Sequence, residues 1–100
     1  MNDIDKKGHA YRRLGLHYLL ELEQIALSGP IGNERKELVS AAAESLKKSL
    51  TCFQTSKNKV EILSSRVLLV RLYLAEGNYR TALQQVFLLL QDERKLPAVG

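Results

Sequence analysis

Residues 69–82 read Leu-Val-Arg-Leu-Tyr-Leu-Ala-Glu-Gly-Asn-Tyr-Arg-Thr-Ala, and the fold prediction begins from this stretch. Leu69 and Tyr73 are one helical turn apart, so they lie on the same face of a helix. Gly77 can take the positive φ that ends a helix, and Asn78 is a good N-cap for a second one. The stretch therefore predicts two helices joined by a tight turn, which places them side by side and antiparallel.

Apolar periodicity on both sides of this turn predicts four helices in all. They cover about 5–26, from the N-cap Asn33 to Phe53, about 59–75 and about 79–93. The third helix is apolar around most of its circumference, which indicates neighbours on more than one side. The predicted buried face of the first helix consists of Tyr11, Leu14, Tyr18, Leu22 and Ile25. The predicted buried face of the fourth helix consists of Tyr79, Ala82, Leu83, Val86, Phe87 and Leu90.

Two polar or Gly/Pro-containing stretches separate the upstream helices. The segment 28–32, Ser-Gly-Pro-Ile-Gly, breaks the first helix, because Pro30 lacks a backbone donor and glycine permits positive φ. The segment 54–58, Gln-Thr-Ser-Lys-Asn, is the second predicted connection, and either Ser56 or Asn58 is expected to cap the third helix. The sequence thus predicts a single all-α domain of two antiparallel helical hairpins over residues 1–100.

The pattern Leu69-x-x-x-Tyr73-x-x-x-Gly77-Asn78-Tyr79-x-x-Ala82 resembles the core of a tetratricopeptide repeat, abbreviated TPR. The front half recurs as Tyr11-x-x-Leu14-Gly15-x-x-Tyr18. The repeat is degenerate, since Arg66, Val70 and Leu89 replace residues that the family prefers. The resemblance implies hairpins stacked in a right-handed superhelix, with this chain as the start of a longer solenoid.

The order of the elements also resembles the N-terminal part of the TPR subunit of the cohesin loader. That order is a long first helix, an irregular loop, an Ala-rich second helix (Ala41-Ala42-Ala43) and a tight second hairpin. This resemblance implies a nuclear protein whose superhelix holds an extended N-terminal segment of the large loader subunit, in the loading of cohesin onto chromatin.

Composition and charge limit which partners and cell compartments are expected for the protein. The start of the chain has no apolar signal segment and its longest apolar run, 67–70, is too short to span a bilayer, so a membrane is not expected as a partner. A single cysteine, Cys52, fits a reducing compartment, nuclear or cytoplasmic. The net charge of +4 leaves a small basic nucleic-acid-binding domain as the alternative function, although the cations occur as separated pairs with carboxylates between them.

No catalytic, metal or cofactor site is predicted. His9 and His17 are eight residues apart, about 12 Å along a helix, which is too far for one zinc ion without further ligands. Cys52 has no base or oxyanion donor assigned to it, and no glycine-rich loop could hold a phosphate. We therefore expect a non-catalytic scaffold rather than an enzyme.

In helical repeats the first helix of each hairpin lines the concave surface, where an extended or helical segment of a larger protein can dock. By resemblance to the family, the expected partner-binding residues are those that would be exposed there. The leucines among them could instead pack against each other. The expected residues are His9, Arg12, Leu16, Leu19, Ser64, Arg71 and Leu74.

Overall fold

The computed structural model describes residues 2–28 and 33–94, with side chains over 2–25 and 34–91. Within these ranges the chain forms four α-helices and no strand: α1 (Asp3–Ser28), α2 (Asn33–Ser56), α3 (Lys59–Glu76) and α4 (Tyr79–Arg94). The predicted all-α class and the four helices are confirmed. Helix α1 includes Ser28, the first residue of the break predicted at 28–32, whereas residues 29–32 and the capping side chain of Asn33 lie outside what the structure describes.

Consecutive helices pack antiparallel. Between α1 and α2, Gly8 meets Phe53 and Gly15 meets Leu46, so the residue numbers run in opposite directions along the two helices. Helices α2 and α3 are also antiparallel, because Arg35 donates to the carbonyl of Ala75 at one end and Ser49 donates to Ser65 further along. Helix α3 also touches α1, and it is therefore the helix that has neighbours on three sides.

The core forms where α1, α2 and α3 meet, with Ala82 contributed by α4. On α1 the buried side chains are Leu19 and Leu22, whereas Leu14, predicted to be buried, is 44% exposed. The reason is that α1 turns its glycines toward α2: Gly8 and Gly15 are both buried, on the same face as Leu22 at seven-residue steps. Among the described residues, the buried apolar side chains are Leu19, Leu22, Ala42, Leu46, Leu50, Phe53, Leu69, Leu72, Tyr73 and Ala82.

The two described turns differ in how well the sequence predicts them. At the α3–α4 turn Gly77 has φ +84°, and the Oδ1 atom of Asn78 accepts a hydrogen bond from the Thr81 amide at 3.2 Å, both as predicted. At the α2–α3 turn the helix continues through Ser56, so the predicted connection at 54–58 shortens to Lys57 and Asn58. Asn58 rather than Ser56 caps α3, accepting from the Glu61 amide at 3.4 Å.

The predicted burial of the α4 face is mostly wrong. Ala82 is buried and Val86 is half-buried, but Tyr79, Leu83 and Phe87 are 69%, 55% and 60% exposed. The physical reason is that, among the described helices, α4 packs against α3 alone, which covers one side of it. The remaining apolar side chains form an uncovered row, the α4 stripe, which consists of Tyr79, Leu83, Phe87 and Leu90.

Candidate functional site

The expected partner-binding residues divide between the surface and the core. Ser64, Arg71 and Leu74 lie along one face of α3, as their spacing predicts, and none of them is buried. His9 and Arg12 lie on α1 where it faces α3, close to Glu61. Leu16 is half-buried and packs against the core. Leu19 is fully buried, so its predicted exposure to a partner is wrong.

Leu19 and Leu16 differ from the prediction for one reason. Because Gly8 and Gly15 draw α1 onto α2, the helix is rotated so that Leu19 and Leu22 point into the core. Leu16 then lies at the edge of that core. Internal packing is therefore observed for Leu16 and Leu19 but not for Leu74, the third leucine of that alternative, which is 50% exposed.

A compact cluster holds the N-terminal half of α1 against α3. The Arg12 guanidinium forms an ion pair with Glu61, and its Nη2 atom lies 2.9 Å from His9 Nδ1. The same guanidinium lies 5.2 Å from the centroid of the Phe53 ring, against which the His9 ring packs edge-on at 5.1 Å. Arg12 and Glu61 are only 18% and 21% exposed, so this is a largely desolvated pair. Arg12 therefore links α1, α2 and α3.

A second ion pair links the same two helices further along. Arg71 donates from Nε and Nη2 to the two carboxylate oxygens of Glu23, at 2.8 and 2.6 Å. These hydrogen bonds to the Glu23 carboxylate raise the pKa of Arg71 above its ordinary value. The bidentate geometry fixes the guanidinium in one orientation. Since Arg71 keeps 43% of its side-chain surface exposed, its edge is still accessible to a ligand.

A trough of about 300 Å³, the α3/α4 trough, opens beside Arg71. Val67 and Leu74, both 50% exposed, form its α3 side one heptad apart. Apart from Arg71, every described lining side chain is aliphatic. The lining residues are Val67, Val70, Arg71, Leu74, Val86 and Leu89. Four of these residues were not predicted to lie at a site: Val67, Val70, Val86 and Leu89. The sequence offered a signal for Val67, because its seven-residue spacing from Leu74 places both on one face of α3.

A cavity of about 560 Å³, the basic cavity, lies on the N-terminal half of α1. Its described lining consists of Lys6, His9, Arg12 and Arg13. The spacing places Lys6, His9 and Arg13 on successive turns of one face, with Arg12 beside them. Lys6 and Arg13 are exposed, whereas His9 and Arg12 are half-buried. Of these residues His9 and Arg12 were predicted to bind a partner, whereas Lys6 and Arg13 were not.

The side chains considered for catalysis or metal binding are dispersed. His17 lies 3.0 Å from Glu21 in an exposed i,i+4 pair, and Cys52 is a half-buried free thiol. Among the described residues no group of three or more His, Cys, Asp or Glu side chains is placed to hold a metal ion. The histidines remain two turns apart, with His9 committed to Arg12 and Glu61.

No helix in the described ranges is both long and apolar enough to cross a membrane. Comparisons of the chain with protein-family models, with curated proteins and with solved structures give no match. The function is therefore inferred from the geometry of the chain itself.

Proposed function

We propose that this chain is a non-catalytic protein-interaction scaffold whose helical surface holds a segment of a larger partner protein. The observation that carries the proposal is the α3/α4 trough, a concave aliphatic surface between two helices with a fixed guanidinium at its edge. Apolar side chains of a helix or extended segment fill such troughs, and a charged edge orients the segment. Arg71 supplies that orientation because Glu23 holds it in place.

The α4 stripe supports the same proposal. Its four side chains are between 45% and 69% exposed. With about 200 Å² for each large apolar side chain, roughly half of which is uncovered, the stripe leaves on the order of 400 Å² of apolar surface in water. Contiguous apolar patches of a few hundred Å² are characteristic of protein-binding surfaces. The stripe and the trough both involve α4, so one partner segment or two successive ones can cover them.

In its most specific form, the proposal follows the TPR resemblance. Two antiparallel hairpins, the second closed by the Gly77–Asn78 turn, are the unit that such repeats stack into a superhelix. On this view the chain acts in the nucleus in the loading of cohesin, and the partner is an extended segment of the large loader subunit. The TPR-like motifs at residues 11–18 and 69–82 support this form of the proposal.

Affinity purification of the native protein, at moderate and at high salt, tests the scaffold proposal. We expect one large protein to be retained near equal stoichiometry at high salt, because apolar burial is little weakened by salt. Leu74→Asp should abolish retention, since it places a carboxylate in the trough. Leu14→Asp is the matched control: Leu14 is 44% exposed against 50% for Leu74, but lies on α1 outside the trough. Equal retention by both variants would refute the trough as the binding surface.

A second candidate function, binding nucleic acid, is favoured by the basic cavity, where four basic side chains converge. Phosphate contacts would make such binding fall steeply with salt. Recovery of nucleic acid at low salt, with no protein retained at high salt, would replace the scaffold proposal by this one. The two candidates are therefore separated by the same purification.

A further inference from the structure

We infer that the basic cavity binds the carboxylate side chains of an acidic peptide segment. The inference rests on the proposed function, because it names the chemistry of one part of the partner. It begins from the charge balance of the cavity. Three permanent cations, Lys6, Arg12 and Arg13, line it together with His9. Glu61 is the one carboxylate for which an ion pair with a described lining residue is present.

Glu61 does not neutralise the cavity. It is shared between Arg12 and His9 and lies in the contact between α1 and α3. The nearby carboxylate of Asp5 accepts hydrogen bonds from Ser56 and Asn58 at the end of α2. Within the part of the chain that the structure describes, Lys6 and Arg13 have no ion pair, and both are exposed. Two positive charges at the mouth are thus left for an external anion.

The donors also suit a carboxylate. The Lys6 and Arg13 side chains are exposed, so their donors are accessible to a carboxylate. Lys6 and Arg13 lie two turns apart on α1, about 10 Å along its axis. An extended segment advances about 3.3 Å per residue, so two acidic residues three positions apart span about the same distance. The cavity volume of about 560 Å³ is in the range of ordinary ligand pockets.

Two observations favour a peptide over nucleic acid. Lys48 and Arg71 are paired with Glu44 and Glu23, so these two cations do not extend the cavity into a basic track. The aromatic ring beneath the cavity, Phe53, is fully buried and offers no surface on which a base could stack.

The position of the cavity relative to the trough also fits a peptide. Arg12 is level with Glu61 on α3, and Leu74 is thirteen residues further along that helix, or about 20 Å. An extended chain covers this distance in about six residues. Along the axis of α3, a partner segment with acidic residues roughly six positions from an aliphatic one therefore spans the distance from the level of Arg12 to Leu74.

The test measures binding of a fluorescein-labelled hexaglutamate peptide to the full chain at about 0.15 M ionic strength. The site variant is Lys6→Gln/Arg13→Gln. The control is Lys36→Gln/Lys47→Gln, which removes two charges from exposed positions on α2. We expect the site variant to weaken binding about tenfold, since two charge contacts are lost. The control should change it by less than about twofold, because separated surface charges are screened.

Equal weakening by both double variants would overturn the inference, since binding would then follow net charge alone. Tighter binding of oligothymidylate or inorganic phosphate than of hexaglutamate would also overturn it, in favour of a phosphate ligand. The proposed function fails by a different result, namely unchanged partner retention in Leu74→Asp. The site variant leaves the trough untouched, so the two failures are distinguishable.

Discussion

Gly15→Ala is the substitution that tests the packing of the whole first hairpin. A Cβ atom built on Gly15 lies 2.7 Å from both Cγ and Cδ2 of Leu46 and 3.2 Å from its backbone nitrogen. The side-chain atoms could move by a rotamer change, but the backbone nitrogen is held within α2. Leu46 is itself fully buried in the core, so it has no free space to rotate into.

The expected magnitude follows from two opposing effects. Alanine favours a helix over glycine by about 1 kcal/mol, which would stabilise an unpacked α1. Forcing an extra methyl group into a packed core costs about 1–3 kcal/mol. Because contact with the backbone prevents full relaxation, we expect the upper part of that range and a net loss of about 1–2 kcal/mol. A domain of this size has only about 5–15 kcal/mol in total.

Urea unfolding followed by far-UV circular dichroism measures this loss. Gly77→Ala is the matched control: Gly77 has open space within 4 Å but φ +84°, so its loss of about 1 kcal/mol reflects backbone strain alone. Leu46→Ala should reduce the effect of Gly15→Ala in a double-mutant cycle, because it removes the colliding atoms. A Gly15→Ala protein as stable as the wild type would refute the close approach of α1 and α2.

Two further predictions concern the contacts of α3. Asn58→Ala should lower the free energy of unfolding by about 1 kcal/mol through loss of the α3 cap, measured by the same urea titration; an unchanged midpoint would show that the cap is dispensable. Arg12→Gln should cost about 2 kcal/mol, because Glu61 is left partly buried without its cation. Arg71→Gln should cost at most about 1 kcal/mol, because its pair with Glu23 is more exposed; a larger loss for Arg71 than for Arg12 would contradict this ranking.

The parts of the fold that could be predicted are those with a local signal. The α3–α4 turn follows from the conformational preferences of Gly77 and Asn78, and both residues adopt the predicted roles. The α2–α3 turn lacks such a signal, because Lys57 takes φ +59° without being glycine. Its conformation is set by the packing around it, including the contact of Ser56 and Asn58 with Asp5 at the start of α1.

The glycines of α1 show why the site was predicted only in part. Glycine has a low helix propensity, so Gly15 by itself disfavours the helix. No local sequence pattern predicts that Leu46 packs against Gly15. That tertiary contact rotates α1 and buries Leu19, which the TPR resemblance placed at the surface. Ser64, Arg71 and Leu74 were placed correctly on one face of α3, since their spacing is a local property of the helix.

The position of α3 explains why one face of this small chain can serve as a docking surface. Leu69 and Leu72 bury one side of the helix in the core. Another side is bound to α1 through the ion pairs Arg12–Glu61 and Glu23–Arg71. Both arginines are thereby held in place by internal ion pairs, and Arg71 keeps an exposed edge beside the trough. The other groups available to a partner are the aliphatic edge at Leu74 and the unpaired cations at the mouth of the basic cavity. Substitutions at these groups should change binding without changing stability, whereas substitutions at either arginine should change both.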